Sequence, residues 1–246
     1  MGSRLSRFLE PFADAVFQSV FARKLSIQNQ IAETITRRIA EKCATDNAAI
    51  FDNEWELREF VIKQIDPKGA LLEFGVFTGG TINFVSKRVP NGHFNGFDTF
   101  EGLPSGKGVW KSYFEKKKFD IGGKLPAVNS NVTLHQGLIE DTLPKFVAAE
   151  MSGRTVSYIH VDVDIYDATA AIFANLTPYI RPGTVILFDE FCNYDGFYNE
   201  EYRAFREFVS ANNVEFTFLA VGSNNRRFGS LGKLALRIDA LKPAAH

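Results

Sequence analysis

The chain has 246 residues, of which 45% are hydrophobic, and its formal net charge is −1. This length suits one α/β domain with an appendage, and the near-zero charge gives no basic face for nucleic acid. No apolar run is long enough to span a bilayer, and the N-terminus lacks the apolar core of a signal peptide. Cys43 and Cys192 offer neither a disulfide framework nor zinc-ligand spacing, so we expect a reducing, cytoplasmic setting.

The N-terminal quarter is predicted to be helical over residues 3–63. Apolar residues recur at three- and four-residue steps from Leu5 to Phe21, and two further helices are predicted over 27–42 and 54–64. We expect residues 1–66 to form a helical cap that completes the core. The same helices could also cover a ligand as a lid or form a homodimer interface, and the sequence leaves these alternatives open.

From residue 67 to 246 the pattern changes to strands alternating with helices. This alternation predicts an α/β domain with a Rossmann-like, mostly parallel sheet whose last strand is antiparallel. The predicted strands are 70–74, 93–97, 132–136, 156–161, 184–188, 215–221 and 233–238. The predicted helices are 81–88, 143–151, 168–179 and 200–211.

The segment from Gly102 to Val128 interrupts this alternation. It contains five glycines and two prolines, with Trp110, Tyr113 and Phe114 among its aromatic residues. A long irregular segment inside a compact domain is usually functional or disordered, and the aromatic residues argue against simple disorder. We therefore predict a mobile active-site loop.

Acidic residues follow the strands that are predicted to form the centre of the sheet. Ligands of open parallel sheets bind beyond the carboxyl ends of the strands, where these acids would gather. Acidic residues are depleted in strands, so solvation alone explains such a series poorly. The acids in question are Glu73, Asp98, Glu140, Asp141, Asp162, Asp164, Asp189 and Glu190.

The stretch after the first of these strands combines Glu73 with Gly75, Gly79 and Gly80. Glycines allow a ligand to approach the backbone closely, but the spacing is not the G-x-G-x-x-G of dinucleotide-binding folds. A glutamate there would repel a pyrophosphate and would suit a cation such as S-adenosylmethionine. Asp98 is placed to accept hydrogen bonds from the two ribose hydroxyls, and Asp141 could accept one from the adenine amino group.

The acids after the fourth and fifth strands suggest a metal ion. Asp162 and Asp164 would point the same way, and Asp189 would end the neighbouring strand. Carboxylates that converge without a nearby lysine or arginine repel one another, and Mg²⁺ would relieve that repulsion. Such an ion could lower the pKa of a substrate hydroxyl while a neighbouring carboxylate takes its proton. The alternative is that Asp164 or Asp167 caps the next helix.

Five motifs together resemble class I methyltransferases that use S-adenosylmethionine, and more narrowly the macrocin O-methyltransferase family of metal-dependent sugar O-methyltransferases. The resemblance covers roughly residues 50–240. Its motifs are LLEFGVFTGG (71–80), GFDTFEGLP (96–104), GLIEDTLP (137–144), HVDVDIYDAT (160–169) and RPGTVILFDEF (181–191).

The resemblance implies roles for individual residues. Asp162, Asp189 and Glu190 would hold Mg²⁺, although Asp189-Glu190 stands where Asp-Asp is common. Asp164 would be the general base beside Asp162, and His160 is expected to be a packing residue. The cofactor-binding residues implied by these motifs are Glu73, Gly75, Phe77, Thr78, Gly79, Gly80, Thr81, Asp98, Thr99, Phe100, Gly137, Glu140, Asp141 and Asp162.

The expected activity is Mg²⁺-dependent transfer of a methyl group to a hydroxyl of a small molecule, such as a glycosylated secondary metabolite. A catechol-like phenol is an alternative acceptor, and a non-catalytic protein that keeps the cofactor pocket is an alternative from another class. The glycine spacing and Glu73 disfavour a nicotinamide-dependent dehydrogenase.

Overall fold

The computed structural model describes residues 27–103, 118–194, 196–223 and 231–242. The helix predicted from Leu5 to Phe21 and residues 104–117 of the predicted loop lie outside these ranges. Helix α1 covers residues 27–45 of the described chain, in agreement with the helix predicted there. No helix within these ranges is long and apolar enough to cross a bilayer.

The strands form one mixed sheet in the order β1-β7-β8-β6-β5-β2-β3-β4. Strand β8 is antiparallel to β6 and β7, and the other neighbours are parallel, which confirms the predicted sheet. The strands are β1 (Ala49–Phe51), β2 (Ala70–Phe74), β3 (Phe94–Asp98), β4 (Val132–Gln136), β5 (Val156–Val161), β6 (Ile180–Phe188), β7 (Glu215–Ser223) and β8 (Leu231–Ala240). The remaining α-helices are α2 (Glu54–Ile62), α3 (Gly80–Arg88), α4 (Ile139–Glu150), α5 (Tyr166–Leu176) and α6 (Glu201–Ala211).

Among the differences from the prediction are a strand that was missed and a helix that begins earlier. Strand β1 pairs in parallel with β7, so the prediction that residues 3–63 are wholly helical is wrong at this point. Its three residues are too few to show a periodicity. Helix α4 begins at Ile139 rather than Leu143 and contains Pro144 in its interior, with Glu140 and Asp141 in the first turn. Acids there complement the positive end of the helix dipole.

The sheet is covered on both faces. One core joins α1, α4, α5 and α6 and is rich in phenylalanine, while the other joins α2 and α3 to the opposite face. Ile39 and Cys43 of α1 are buried in the first core, so the described part of the predicted cap completes that core. The boundary at residue 66 stays a prediction, as does the role of the cap as a lid.

The strand order reverses between β2 and β5, and this reversal positions the site. From β2 the chain runs outward through β3 and β4 and then returns to β5 on the other side of β2. The connections that leave the carboxyl ends of such neighbours go to opposite sides of the sheet, and a crevice forms between them. Gly75 lies at this point with φ +87°, and a Cβ there would meet the backbone oxygen of Asp162 at 1.7 Å. Both the conformation and the close approach therefore require glycine.

Candidate active site

A cleft with a cavity volume of about 150 Å³ opens at the carboxyl ends of β2, β3 and β5. Its lining contains these residues predicted from the sequence: Gly75, Phe77, Asp98, Thr99, Gly137, Glu140, Asp162 and Asp164. Its apolar lining includes Phe97, Leu103, Phe119 and Ile165, so both described flanks of the predicted loop reach the cleft. The predicted residues that do not line it are Glu73, Thr78, Gly79, Gly80, Thr81, Phe100 and Asp141.

Asp98 at the end of β3 holds in place the segment 75–80 after β2, which we call the glycine loop. Its Oδ2 accepts hydrogen bonds from the backbone N–H groups of Val76 (2.8 Å) and Phe77 (2.7 Å). Its Oδ1 accepts one from Phe100 N–H at 2.7 Å. A carboxylate has about four acceptor positions, so Oδ1 keeps capacity for one more donor. The ribose contact stays a prediction, and loop positioning is a second task for the same carboxylate.

Glu73 does not line the cleft, and its side chain is only 1% exposed. Its Oε2 is 3.1 Å from Nδ1 of His160, although the two are not aligned as a hydrogen bond. The other ring nitrogen, Nε2, lies 3.4 Å from Oδ1 of Asp189. Burial disfavours the charged ring, but Asp189 and Glu73 more than offset this and raise the pKa of His160 to about 9. The ring of His160 thus lies between two carboxyl groups as well as packing in the core.

Asp189 is held by two buried cations. Arg58 Nη2 of α2 donates to Oδ1 at 2.6 Å, and Lys233 Nζ of β8 donates to Oδ2. Both cations also lie near Glu54, with Arg58 at 2.9 Å and Lys233 at 3.6 Å from its Oε2. The premise that no lysine or arginine lies near these acids is therefore wrong. We call Glu73, His160, Asp189, Arg58 and Lys233 the buried charge cluster.

Asp162 stands between this cluster and the cleft. Burial and the charge of Asp189 raise its pKa well above the usual range. His160, Asp162 and Asp189 each present one potential metal-ligand atom, and these atoms lie within 4.8 Å of one another. Glu190, which was predicted to be the third ligand, is not part of this described group.

Asp164 lies on the cleft in a left-handed conformation with φ +64° and is 8% exposed. Its backbone N–H and that of Val163 both donate to Oε1 of the fully buried Glu201, at 3.1 and 3.2 Å. Burial and then the charge of Asp189 raise the pKa of Asp164 to about 7. Glu200 caps α5 by accepting the N–H of Tyr166 at 2.9 Å. Asp164 thus has the position and proton affinity of a general base near neutral pH.

Sequence reasoning missed three residues of this edge, which are Arg58, Lys233 and Glu201. A weak signal existed for two of them. Arg58 lies beside Leu57 on the buried face of α2, and Lys233 interrupts the apolar run of β8. Charged residues are rarely buried unless they are paired, so an isolated charge at an inward position indicates a buried partner. The sequence offers no comparable signal for Glu201.

Sheet order, a cleft at the reversal point and an acid at the end of β3 are features of the class I methyltransferase fold, which confirms the predicted fold. Residues 72–191 match the model of a family described as a methyltransferase domain. The match spans β2 to β6 and so includes the strands that build the cleft.

Two solved structures are similar in fold. CalS11, described as the calicheamicin methyltransferase and as a TDP-rhamnose 3'-O-methyltransferase, aligns with a TM-score of 0.52 at 20% identity, over 75% of this chain and 78% of that chain. The O-methyltransferase NovP aligns with a TM-score of 0.50 at 18% identity, over 76% of this chain and 78% of that chain. No curated protein sequence matches this chain significantly.

Proposed function

We propose that this protein transfers a methyl group from S-adenosylmethionine to a hydroxyl oxygen of a small molecule. One observation carries the proposal: in a chain that matches a methyltransferase domain, the cleft brings the base candidate Asp164 to the same wall as the glycine loop and Asp98. The cofactor and the base would therefore have adjoining places in one cleft.

The charge of the cleft supports this cofactor. Asp98 and Glu140 are among the carboxyl groups that line it, so the cleft favours a cation over an anion. When bound, S-adenosylmethionine supplies a methyl group on a positively charged sulfur. A nicotinamide dinucleotide would bring a pyrophosphate, which these carboxylates would repel.

Asp164 is the group that we propose to receive the proton of the acceptor. As the new oxygen–carbon bond forms and the carbon–sulfur bond breaks, the acceptor oxygen must lose its proton. With its pKa near 7, Asp164 is ionised in a large fraction of molecules at neutral pH and can bind that proton. Glu201 acts indirectly, because its Oε1 accepts hydrogen bonds from the backbone of Val163 and Asp164 and so positions Asp164.

A sugar hydroxyl is the acceptor that the similar structures suggest, since CalS11 is named for a TDP-rhamnose substrate. The apolar part of the wall, with Phe77, Phe97 and Phe119, would pack against the faces of sugar or aromatic rings. A phenol is thus the other acceptor class to include in any assay.

The magnesium ion stays a prediction. A divalent ion at His160, Asp162 and Asp189 would have to share Asp189 with Arg58 and Lys233, so the residues present do not fit the ion as they are arranged here. The proposed reaction accordingly includes no step through a metal ion.

Isothermal titration calorimetry with S-adenosylmethionine and with NAD tests the cofactor, and a product assay with nucleotide sugars and phenols tests the reaction. We expect saturable binding of S-adenosylmethionine alone and methylation of at least one hydroxylated acceptor. Failure to bind S-adenosylmethionine would contradict the proposal. Transfer to a nitrogen or carbon acceptor in place of oxygen would correct the reaction class.

A further inference from the structure

The buried charge cluster places two cations on the carboxylate that was predicted to bind a metal. Both oxygens of Asp189 accept from a charged donor, Oδ1 from Arg58 at 2.6 Å and Oδ2 from Lys233. The exposed fractions are 2% for Arg58, 7% for Lys233 and 8% for Asp189. Water therefore screens the attraction between these charges weakly, and the loss of one partner would leave a buried charge uncompensated.

The backbone fixes these contacts. In the antiparallel pair of β6 and β8, Phe188 lies opposite Leu234, so Asp189 and Lys233 are the next facing residues. The hydrogen bond from Phe191 N–H to Gly232 O, 3.0 Å long, continues the pairing beyond them. The register of β6 and β8 thus places Lys233 opposite Asp189. A rotation of either side chain does not change this register.

Arg58 is fixed independently from the other side. Helix α2 buries Leu57 and Val61 against the sheet, and Gly222 of β7 leaves room for Leu57, whose Cδ1 would lie 2.6 Å from an added Cβ. Glu54, one helical turn before Arg58, accepts from its Nη1 at 2.9 Å. The guanidinium therefore reaches Asp189 from a helix whose position is set by packing.

The charges around Asp189 are already close to balanced. Two cations, Arg58 and Lys233, face the carboxyl groups of Glu54 and Asp189. A divalent ion bound to Asp189 would have to displace these donors or lie beside them. Either arrangement is unfavourable, because like charges repel strongly at low dielectric and the displaced donors would lose their partners.

We infer that Arg58 and Lys233 take the place of the divalent ion at Asp189, so that this protein transfers its methyl group without a metal at Asp162 and Asp189. The inference rests on the proposed function for the reaction itself, whereas the exclusion of the ion rests on the charge cluster alone. The two parts can therefore fail separately.

Binding of Mn²⁺ to the full-length protein tests the exclusion without any activity. Free Mn²⁺ measured by electron paramagnetic resonance should show no saturable site in the wild-type protein up to about 1 mM. Stoichiometric binding that Asp162→Asn or Asp189→Asn abolishes would overturn the inference, whatever the catalytic activity.

Variants of Lys233 make the test specific. Lys233→Met keeps most of the apolar stem but removes the charged donor from Oδ2 of Asp189. We therefore expect it to gain a saturable Mn²⁺ site with a Kd at least tenfold below the limit of about 1 mM set for the wild type. Lys233→Arg keeps the charge and should behave like the wild type. Circular dichroism checks that each variant is folded, and a folded Lys233→Met protein without any gain would overturn the inference.

Methyl transfer supplies the second readout. After dialysis against EDTA, the initial rate with the acceptor found above should stay within twofold of the untreated rate, and added Mg²⁺ should not raise it further. A tenfold loss that Mg²⁺ restores would overturn the inference. If no hydroxylated acceptor is methylated under any condition, the proposed function fails. The Mn²⁺ measurement would still show whether Asp162 and Asp189 bind a divalent ion.

Discussion

The carboxyl edge of the sheet carries acids in two settings that differ in what faces them. In the cleft, Asp98 and Asp164 line an open space with the glycine loop. In the buried charge cluster, Glu73 and Asp189 face His160, Arg58 and Lys233. The first setting offers carboxyl groups to a ligand. In the second, cationic side chains of the same chain pair with the carboxyl groups.

This difference shows that an acid at a strand end predicts a location but not a partner. Arg58 and Asp189 are 131 positions apart in the chain, and Lys233 follows Asp189 by 44 positions. Only the packing of α2 and the register of β8 bring them together. Substitutions on the two sides should therefore act on different quantities, with activity affected in the cleft and folding stability in the cluster.

The largest effect is expected in the cleft from Asp164→Asn. Loss of the proton acceptor should lower kcat by about 10²- to 10⁴-fold, while the affinity for S-adenosylmethionine changes little. Asp167→Asn, three residues further on in α5, is the matched control and should keep nearly the wild-type rate. Steady-state kinetics and calorimetry together check this, and a folded Asp164→Asn protein with the wild-type kcat would exclude Asp164 as the base.

In the cluster, Arg58→Met should act on stability. Removing one partner of a buried ion pair typically costs about 3–5 kcal/mol, because the remaining charge is left without compensation. The exposed pair of Arg203 and Glu207 supplies the control, since Arg203→Met should shift the denaturation midpoint little. Urea unfolding checks both. If the two variants were equally stable, the cluster would behave like a surface ion pair and the distinction between the two settings would fail.

Much of the fold could be predicted, because its signals are local. Strands β2, β4 and β5 have the predicted bounds. Strands β2 and β5 are buried along their whole length, as is typical of strands covered on both faces, whereas β4 lies at the edge of the sheet and is partly exposed. Strand β1 was missed because three residues are too few to show an alternation of apolar and polar side chains. Its partner β7 also lies about 170 positions away in the sequence. Gly75, Phe77 and Asp98 also belong to local patterns, and they line the cleft.

The partners of the acids could not be predicted in the same way. Glu73, next to the glycines in sequence, points to His160 behind the cleft, because the side chains of a strand alternate between the two faces. Glu201 lies 37 positions after Asp164, yet it holds the backbone of that residue. Such contacts depend on how separate elements pack, and that information is distributed over the whole chain.

A smaller effect is expected from Gly75→Ala, at the contact between β2 and β5. The added Cβ would lie 1.7 Å from the oxygen of Asp162 in a conformation with φ +87°, so the strand ends must separate. We expect a loss of about 2–3 kcal/mol, from conformational strain and from the forced displacement. Gly153→Ala has a similar φ of +70° but open space around it, and should cost about 1 kcal/mol. If thermal unfolding showed the same loss of stability for both variants, the positive φ alone, and not the contact with Asp162, would explain the cost at Gly75.

The smallest effect is expected from Asp98→Asn, which separates the two tasks of that carboxylate. The amide oxygen can still accept from Val76 and Phe77, but the amide nitrogen would face the N–H of Phe100, so stability should fall by about 1 kcal/mol. If Asp98 also binds the ribose, the Kd for S-adenosylmethionine should rise roughly tenfold, in line with one lost charge-assisted hydrogen bond. Asp66→Asn, in an exposed turn where Oδ1 accepts from Lys68 N–H, should change neither quantity appreciably. An unchanged Kd in a folded but less stable Asp98→Asn protein would assign this carboxylate to the loop alone. The cleft would then bind its ligand mainly through the backbone that Asp98 holds in place.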